Sequence, residues 1–154
     1  WIPAFVVMCM IFLFSAKTGN ESSRTSAKIA AVILELEVFH TDTMSQQEYD
    51  SLFAMTEHIV RKTAHACEYA VLAVCIGFHL FSCEWLIKNI IFYSILISFI
   101  YAGSDEIHQL FVPGRAGQFK DVCIDTLGAI AGTFCFILLI MIKQKISNKK
   151  KSLI

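Results

Sequence analysis

A chain of 154 residues has the length of one ordinary domain, but 56% of its residues are apolar and only 17% are charged. Thirteen Lys and Arg balance thirteen Asp and Glu, which leaves a formal net charge of zero. These proportions exclude a disordered chain, which needs low hydrophobicity, and a nucleic-acid-binding protein, which needs excess positive charge. They favour an all-α integral membrane protein.

Four apolar stretches predict a bundle of four transmembrane helices, because each approaches the roughly 20 residues that a bilayer requires. The predicted spans cover about residues 1–16, 63–81, 86–109 and 122–142. The first stretch starts without Met, so we expect its helix to begin upstream of Trp1. Residues 1–142 are predicted to form one membrane domain, and residues 143–154 a Lys-rich tail.

The long loop 17–62 is predicted to contain two amphipathic helices that lie on the membrane interface. The second begins at Ser45, because Glu48 follows three residues later as in a capping box, and it continues almost directly into the second span. The first shows apolar residues at helical spacing with charges on the opposite face. Its apolar residues are Ile29, Val32, Ile33 and Leu36.

Basic residues after the last span decide the predicted orientation, because Lys and Arg next to a span are retained in the cytoplasm. With an even number of spans, both termini are predicted to be cytoplasmic. The loops 17–62 and 110–121 then face outward. The lysines in question are Lys143, Lys145, Lys149, Lys150 and Lys151.

Ionisable side chains occur within or at the ends of three predicted spans, where an unpaired charge costs at least about 2.5–3.5 kcal/mol at the bilayer centre. They therefore need partners or a polar cavity. In the second span, Arg61, His65 and Glu68 have i, i+4, i+7 spacing and share one helix face. Tyr69 follows on an adjacent face.

The third span repeats this spacing with Tyr101, Asp105 and His108. Gln109 stands beside His108 in the sequence. Helix geometry predicts that Glu106 points about 100° away from Asp105. The third span therefore presents a second polar stripe, with Glu106 outside it.

The fourth span begins with Asp121 and Asp125 one turn apart. A tight turn from Pro113 to Gly117 precedes it and carries Arg115, whose guanidinium can bind a phosphate or neutralise carboxylates. The second and fourth spans begin at the membrane side where the third ends, so all three stripes are predicted to converge there.

The converging side chains divide into candidates for acid–base or catalytic work and candidates for ligand binding. The catalytic candidates are His65, Glu68, Asp105, Glu106, His108, Asp121 and Asp125. The ligand-binding candidates are Arg61, Lys62, Tyr69, Gln109, Arg115 and Lys120. The same residue types also suit a web of ion pairs that only stabilises the bundle, and this alternative stays open.

Two further interpretations concern a metal and a second copy of the chain. The carboxylates and histidines suit a divalent metal, but their spacing matches no zincin motif, so a metal is the less favoured alternative. Gly128 and Gly132 form a GxxxG pattern, which favours close packing inside the bundle over a homo-oligomer.

These residues occur in an arrangement that resembles the VanZ-like family of bacterial membrane proteins. The resemblance covers the chain from Phe14 through the fourth span. It implies a small multispan protein of the bacterial cell membrane, in a family whose founding member is linked to teicoplanin resistance. The motifs are Arg61-Lys62-x-x-His65-x-x-Glu68-Tyr69, Asp105-Glu106-x-His108-Gln109, Pro113-Gly114-Arg115-x-Gly117 and Asp121-x-x-x-Asp125-x-x-Gly128.

The favoured hypothesis is a membrane-embedded cell-envelope factor. Its outward-facing cluster engages a lipid-linked cell-wall intermediate or an anionic lipid head group and lowers susceptibility to teicoplanin. The first alternative is an intramembrane hydrolase or transferase, with or without a metal, that acts on a phospholipid substrate. A transporter and a purely structural protein are the remaining alternatives.

Overall fold

In a computed structural model, which describes residues 1–36 and 44–151, the chain folds into five α-helices. No described residue lies in a strand, so the predicted all-α fold is confirmed. The helices are α1 (Ile2–Ser15), α2 (Gly19–Leu34), α3 (Gln46–Ser82), α4 (Ile87–Gln109) and α5 (Phe119–Lys151).

Three of these helices, α3, α4 and α5, are long and apolar enough to cross a membrane. Helix α1 has 14 residues and a length of about 21 Å, which is shorter than the roughly 30 Å hydrocarbon core. Together α1 and α2 qualify as a fourth candidate span, with a bend of 102° between them. The chain is therefore a helical membrane protein with three candidate spans, or four if the bent pair counts as one.

Helix α3 confirms the predicted start at Ser45 and the continuous path into the second span. The Ser45 hydroxyl accepts a hydrogen bond from the Glu48 amide, and the Glu48 carboxylate accepts one from the Ser45 amide at 2.9 Å. At 37 residues the helix is about 55 Å long, so it extends well beyond the hydrocarbon core.

Helix α5 does not end where the apolar stretch ends. It continues through the predicted tail as far as Lys151, because this segment contains no Gly or Pro and is rich in helix-forming Lys. The predicted limit at residue 142 therefore describes the end of the apolar stretch and not the end of the helix. Residues 152–154 of the predicted tail lie outside the described residues.

Helix α2 confirms the first predicted helix of the long loop. Thr18 and Glu21 form a capping box at its start. Small and aliphatic side chains at i, i+4, i+8 are buried: Ser26, Ala30 and Leu34. The predicted apolar stripe is largely exposed instead, with Val32 at 63%, so it is available for lipid contact as an interfacial helix requires.

Helices α3 and α5 run side by side in the same direction, with no side chain between them at two positions. A Cβ atom at Gly128 would collide with the carbonyl oxygen of Ala66, and one at Gly132 with that of Ala70. The GxxxG pattern therefore packs against α3 within one chain. Association of two copies through these glycines stays a prediction.

Contacts of α1 with its neighbours show how the helix ends are arranged. The Trp1 ring lies 4.4 Å from the His79 ring near the end of α3, so α1 and α3 run in opposite directions. The Ser15 hydroxyl donates to Asp105 near the end of α4, so α1 and α4 run in the same direction. The end of α1, the end of α4 and the start of α5 therefore meet at one end of the bundle.

We expect Gly132→Ala to lower the free energy of unfolding by about 1–3 kcal/mol, because the added methyl group forces α3 and α5 apart. Gly103→Ala on α4 is the matched control, since an added Cβ there meets no described atom within 4 Å. Thermal unfolding of the two detergent-purified variants measures the stability of each. Equal stability of the two variants would contradict the proposed close packing.

Candidate functional site

Two adjoining cavities lie at the end of the bundle where the polar side chains meet. The polar cavity has a volume of about 240 Å³, and the apolar cavity about 180 Å³. Arg61, His65 and Arg115 line both cavities. The other ionisable side chains of the polar cavity are His58, Lys62, Glu106, Asp121 and Asp125.

Two cations of the polar cavity come from successive positions of α3. Arg61 donates from Nη1 to the Ser23 hydroxyl of α2 at 3.1 Å and lies 3.7 Å from the Glu57 carboxylate. Lys62 forms an ion pair with Asp121 of α5. Arg61 therefore joins α3 to α2, and Lys62 joins α3 to α5.

Arg115 reaches the cavities from the turn between α4 and α5. Gly114 adopts a left-handed backbone conformation (φ 73°) in this turn, which confirms the predicted need for glycine. The Arg115 guanidinium donates to the carbonyl oxygens of Phe14 at 3.3 Å and Lys17 at 3.2 Å, where a cation suits the carbonyl end of α1. Burial lowers the pKa of Arg115 from its usual value.

The sequence left two roles open for Arg115, binding a phosphate or neutralising carboxylates, and the structure shows no direct contact for the second. No ion pair joins Arg115 to an acidic side chain anywhere in residues 1–36 and 44–148. Its contacts with α1 leave part of the guanidinium facing both cavities. The prediction that this side chain can take a phosphate is compatible with that placement.

Glu106 corrects the predicted geometry of the third span. Its carboxylate lines the polar cavity, accepts the Gln118 backbone N–H at 2.8 Å and accepts the Gln109 amide at 3.1 Å. Glu106 and Asp105 lie on different faces of α4 but share the Gln109 side-chain amide as a donor, and the Glu106 face is also buried. The reason is that α4 packs between α1 on one side and the α4–α5 turn on the other.

The predicted stripe of α4 faces α1 and not the cavities. The buried Asp105 carboxylate accepts the Ser15 hydroxyl at 2.8 Å and the Gln109 amide at 3.0 Å. Tyr101 donates to a backbone carbonyl of α1 at 2.6 Å. His108 packs its ring 4.5 Å from the ring of Phe12.

His65 and Glu68 form the closest pair of a base and a carboxylate at the junction of the cavities. His65 Nδ1 lies 3.4 Å from Glu68 Oε2, and both side chains line the apolar cavity. Neither atom has a well-aligned hydrogen bond among the described residues. Asp125 lines the adjoining polar cavity and is only 3% exposed. A carboxylate can therefore orient the imidazole, while the other ring nitrogen stays available for a ligand.

Four predicted site residues lie outside both cavities, and one of them is Asp105, which bonds to Ser15 and Gln109. Tyr69 is fully buried in the core, with its ring 6.2 Å from that of Tyr101. His108 contacts α1, and Lys120 is exposed at the start of α5. Their sequence neighbours line the cavities, but the direction of each side chain takes it elsewhere.

The structure also adds residues that sequence reasoning missed. His58 lines the polar cavity, and extending the stripe of Arg61 and His65 by one turn toward the start of α3 would have identified it. Ser15 of α1 is fully buried where α1 packs against α4. The one sequence feature that could have identified it is a hydroxyl side chain at the end of an apolar stretch. Gln118 contributes through its backbone, for which the sequence has no signal.

A metal site finds no support in the described geometry. Among residues 1–36 and 44–148, no three His, Cys, Asp or Glu side chains converge closely enough to hold a metal ion. The carboxylates instead bind Lys62, Gln109 and backbone or hydroxyl groups.

Comparison with known protein families matches residues 1–141 to the model of the VanZ/LLP1 family. The match covers every side chain that lines the two cavities and confirms the resemblance that the motifs indicated. No curated protein and no solved structure matches the chain.

We expect Ser15→Ala to lower the free energy of unfolding by about 1–3 kcal/mol, because it removes the two buried hydrogen bonds that join Ser15 to Asp105 and Gln109 of α4, one of them to a carboxylate. Ser104→Ala is the matched control on α4, since this exposed hydroxyl bonds only a carbonyl of its own helix. Chemical denaturation in detergent compares the two. A loss in both variants alike would show that the Ser15 network does not hold α1 to α4.

Proposed function

The chain belongs to the VanZ/LLP1 family, and from this premise we propose that it is a cell-envelope factor of the bacterial membrane. The polar cavity binds the phosphate of a lipid-linked cell-wall intermediate or of an anionic lipid head group. The observation that carries this proposal is the convergence of three cations, Arg61, Lys62 and Arg115, on one polar cavity.

The roles of the three cations follow from their existing contacts. Lys62 is already neutralised by Asp121, so it holds α5 in place and contributes little to an incoming anion. Arg115 bonds only to carbonyl oxygens among its described contacts, which leaves its charge available for a phosphate. Arg61 donates to the Ser23 hydroxyl and forms one long ion pair with Glu57 at 3.7 Å, which a phosphate would have to displace or share. Glu106 and Asp125 line the same cavity and can accept hydrogen bonds from hydroxyl or amide groups of the head group.

The proposed effect on antibiotics follows from the location of the site. With both termini in the cytoplasm, the two cavities open at the outer side of the membrane, where cell-wall intermediates are displayed. A lipophilic glycopeptide such as teicoplanin must approach those intermediates at the same surface. A protein that holds their phosphate at the membrane changes that access and lowers susceptibility.

We expect Arg61→Gln to weaken phosphate binding by about 10- to 100-fold, because a charge-assisted hydrogen bond contributes about 1.5–3 kcal/mol. Lys120→Gln is the control, since Lys120 is exposed and lines neither cavity. Titration of polyprenyl phosphate into nanodiscs that hold each variant measures the affinity. The teicoplanin susceptibility of bacteria that express each variant provides the cellular readout.

The results separate the proposal from nonspecific attraction. If Lys120→Gln and Arg61→Gln weaken binding equally, surface charge attracts the lipid and the polar cavity is not the site. If Arg61→Gln weakens binding but leaves susceptibility at the wild-type level, the lipid site stands and the link to teicoplanin is refuted.

The pair formed by His65 and Glu68 favours one alternative, an intramembrane phosphoester hydrolase. Glu68 would orient the imidazole through Nδ1, and Nε2 would remove a proton from water at the junction of the cavities. The water oxygen then bonds to phosphorus, the ester P–O bond breaks, and the leaving alkoxide takes a proton from solvent. The products are a phosphate and a free alcohol.

We expect His65→Gln to slow such a hydrolysis by about 10²- to 10⁴-fold, the usual contribution of general acid–base catalysis. His108→Gln is the matched control, because its ring packs on Phe12 outside the cavities. Release of inorganic phosphate from a polyprenyl phosphate in nanodiscs is the readout. If the wild-type protein releases no phosphate above empty nanodiscs, the hydrolase alternative is excluded and phosphate binding remains.

A further inference from the structure

The apolar cavity is the part of the site that phosphate binding does not explain. It lies between the end of α1, α2 and the middle of α3 and has a volume of about 180 Å³. Its accessible surface is mainly apolar although polar side chains also line it, and a phosphate alone leaves that apolar surface unused. Its apolar wall consists of Phe14, Ile29, Val60 and Ala64.

The charged groups at this cavity are mainly cationic. Lys17, Arg61 and Arg115 line it, against the single carboxylate of Glu68. Because Arg61 and Arg115 also line the polar cavity, a phosphate that they hold lies at the mouth of the apolar cavity. An apolar space with a positive mouth is complementary to an anionic amphiphile.

Helix α2 forms one wall of the apolar cavity and is held against α3 by two polar contacts. The Ser26 hydroxyl donates to Glu57 at 3.0 Å, and Arg61 donates to Ser23 at 3.1 Å. Ile29 lines the cavity and is 49% exposed, so the cavity opens beside the apolar stripe of α2. A hydrocarbon chain can therefore enter from the lipid side without crossing the polar cavity.

We propose that the apolar cavity takes the hydrocarbon chain of a single-chain lipid phosphate whose phosphate lies between Arg61 and Arg115. This inference rests on the proposed function, which places the phosphate in the polar cavity. One chain is specified because 180 Å³ is below the roughly 300–1,000 Å³ of sites that enclose a drug-sized ligand. The protein then binds the phosphate and the hydrocarbon chain attached to it together, and not the phosphate head group alone.

The test is a series of alkyl phosphates from ethyl to dodecyl phosphate, titrated by calorimetry into the protein in nanodiscs, with empty nanodiscs as the blank. Burial of each methylene strengthens binding by about fourfold, so affinity rises with chain length. It levels off once the cavity is full. Partition into the bilayer gives a rise that does not level off and appears in the blank.

Ala64→Leu is the informative variant, because the larger side chain fills part of the apolar cavity. We expect its affinities to level off at a shorter chain than those of the wild-type protein. Ala54→Leu makes the same change on the same helix at an exposed position that lines neither cavity, so its series matches the wild type. A shared shift in both variants overturns the inference.

Two outcomes distinguish this inference from the proposed function. If ethyl phosphate and dodecyl phosphate bind equally, and Arg61→Gln weakens both, the apolar cavity takes no chain while the phosphate site stands. If no alkyl phosphate binds, the proposed function fails as well. If dioctanoyl phosphatidic acid binds more tightly than octyl phosphate, the site takes a two-chain lipid and the single-chain inference is overturned.

Discussion

The close contact between α3 and α5 is the constraint on which the rest of the structure depends. A lipid bilayer supplies no hydrophobic force between helices, so association requires close packing and polar contacts. Gly128 and Gly132 let α5 reach the backbone of α3, and the Lys62–Asp121 ion pair lies on the same interface. This alignment of α5 against α3 places Asp125 in the same cavity as Arg61 and His65 of α3.

The end of α1 links the remaining elements to this pair of helices. Arg115 binds carbonyl oxygens there, while Ser15 bonds with Asp105 and Gln109 of α4. One short segment therefore supports both the turn before α5 and the buried face of α4. The bend into α2 follows directly, and α2 then forms one wall of the apolar cavity against α3.

The position of the three polar stripes at one end of the bundle could be predicted, because it depends on helix period and on alternating helix direction alone. Their meeting in one site could not, since the α4 stripe of Tyr101, Asp105 and His108 faces α1. Which face of α4 lines the cavities could not be predicted. Helix α4 carries polar residues on two faces, and the 3.6-residue helix period favours neither face. Packing decides this: Asp105 turns to α1, and Glu106 turns to the cavity. Ser15 was missed for a similar reason, since an isolated hydroxyl acquires its role only from the helix that packs against it.

The two cavities explain why polar groups near a membrane surface are placed inside the protein. At the bilayer surface, water screens a guanidinium, and any anionic lipid can bind it. Arg61 and Arg115 are instead held by Ser23 and by the end of α1, at the boundary between a polar and an apolar space. Their charges are preorganised at this boundary, which is the arrangement that the proposed ligand, a phosphate on a hydrocarbon chain, requires.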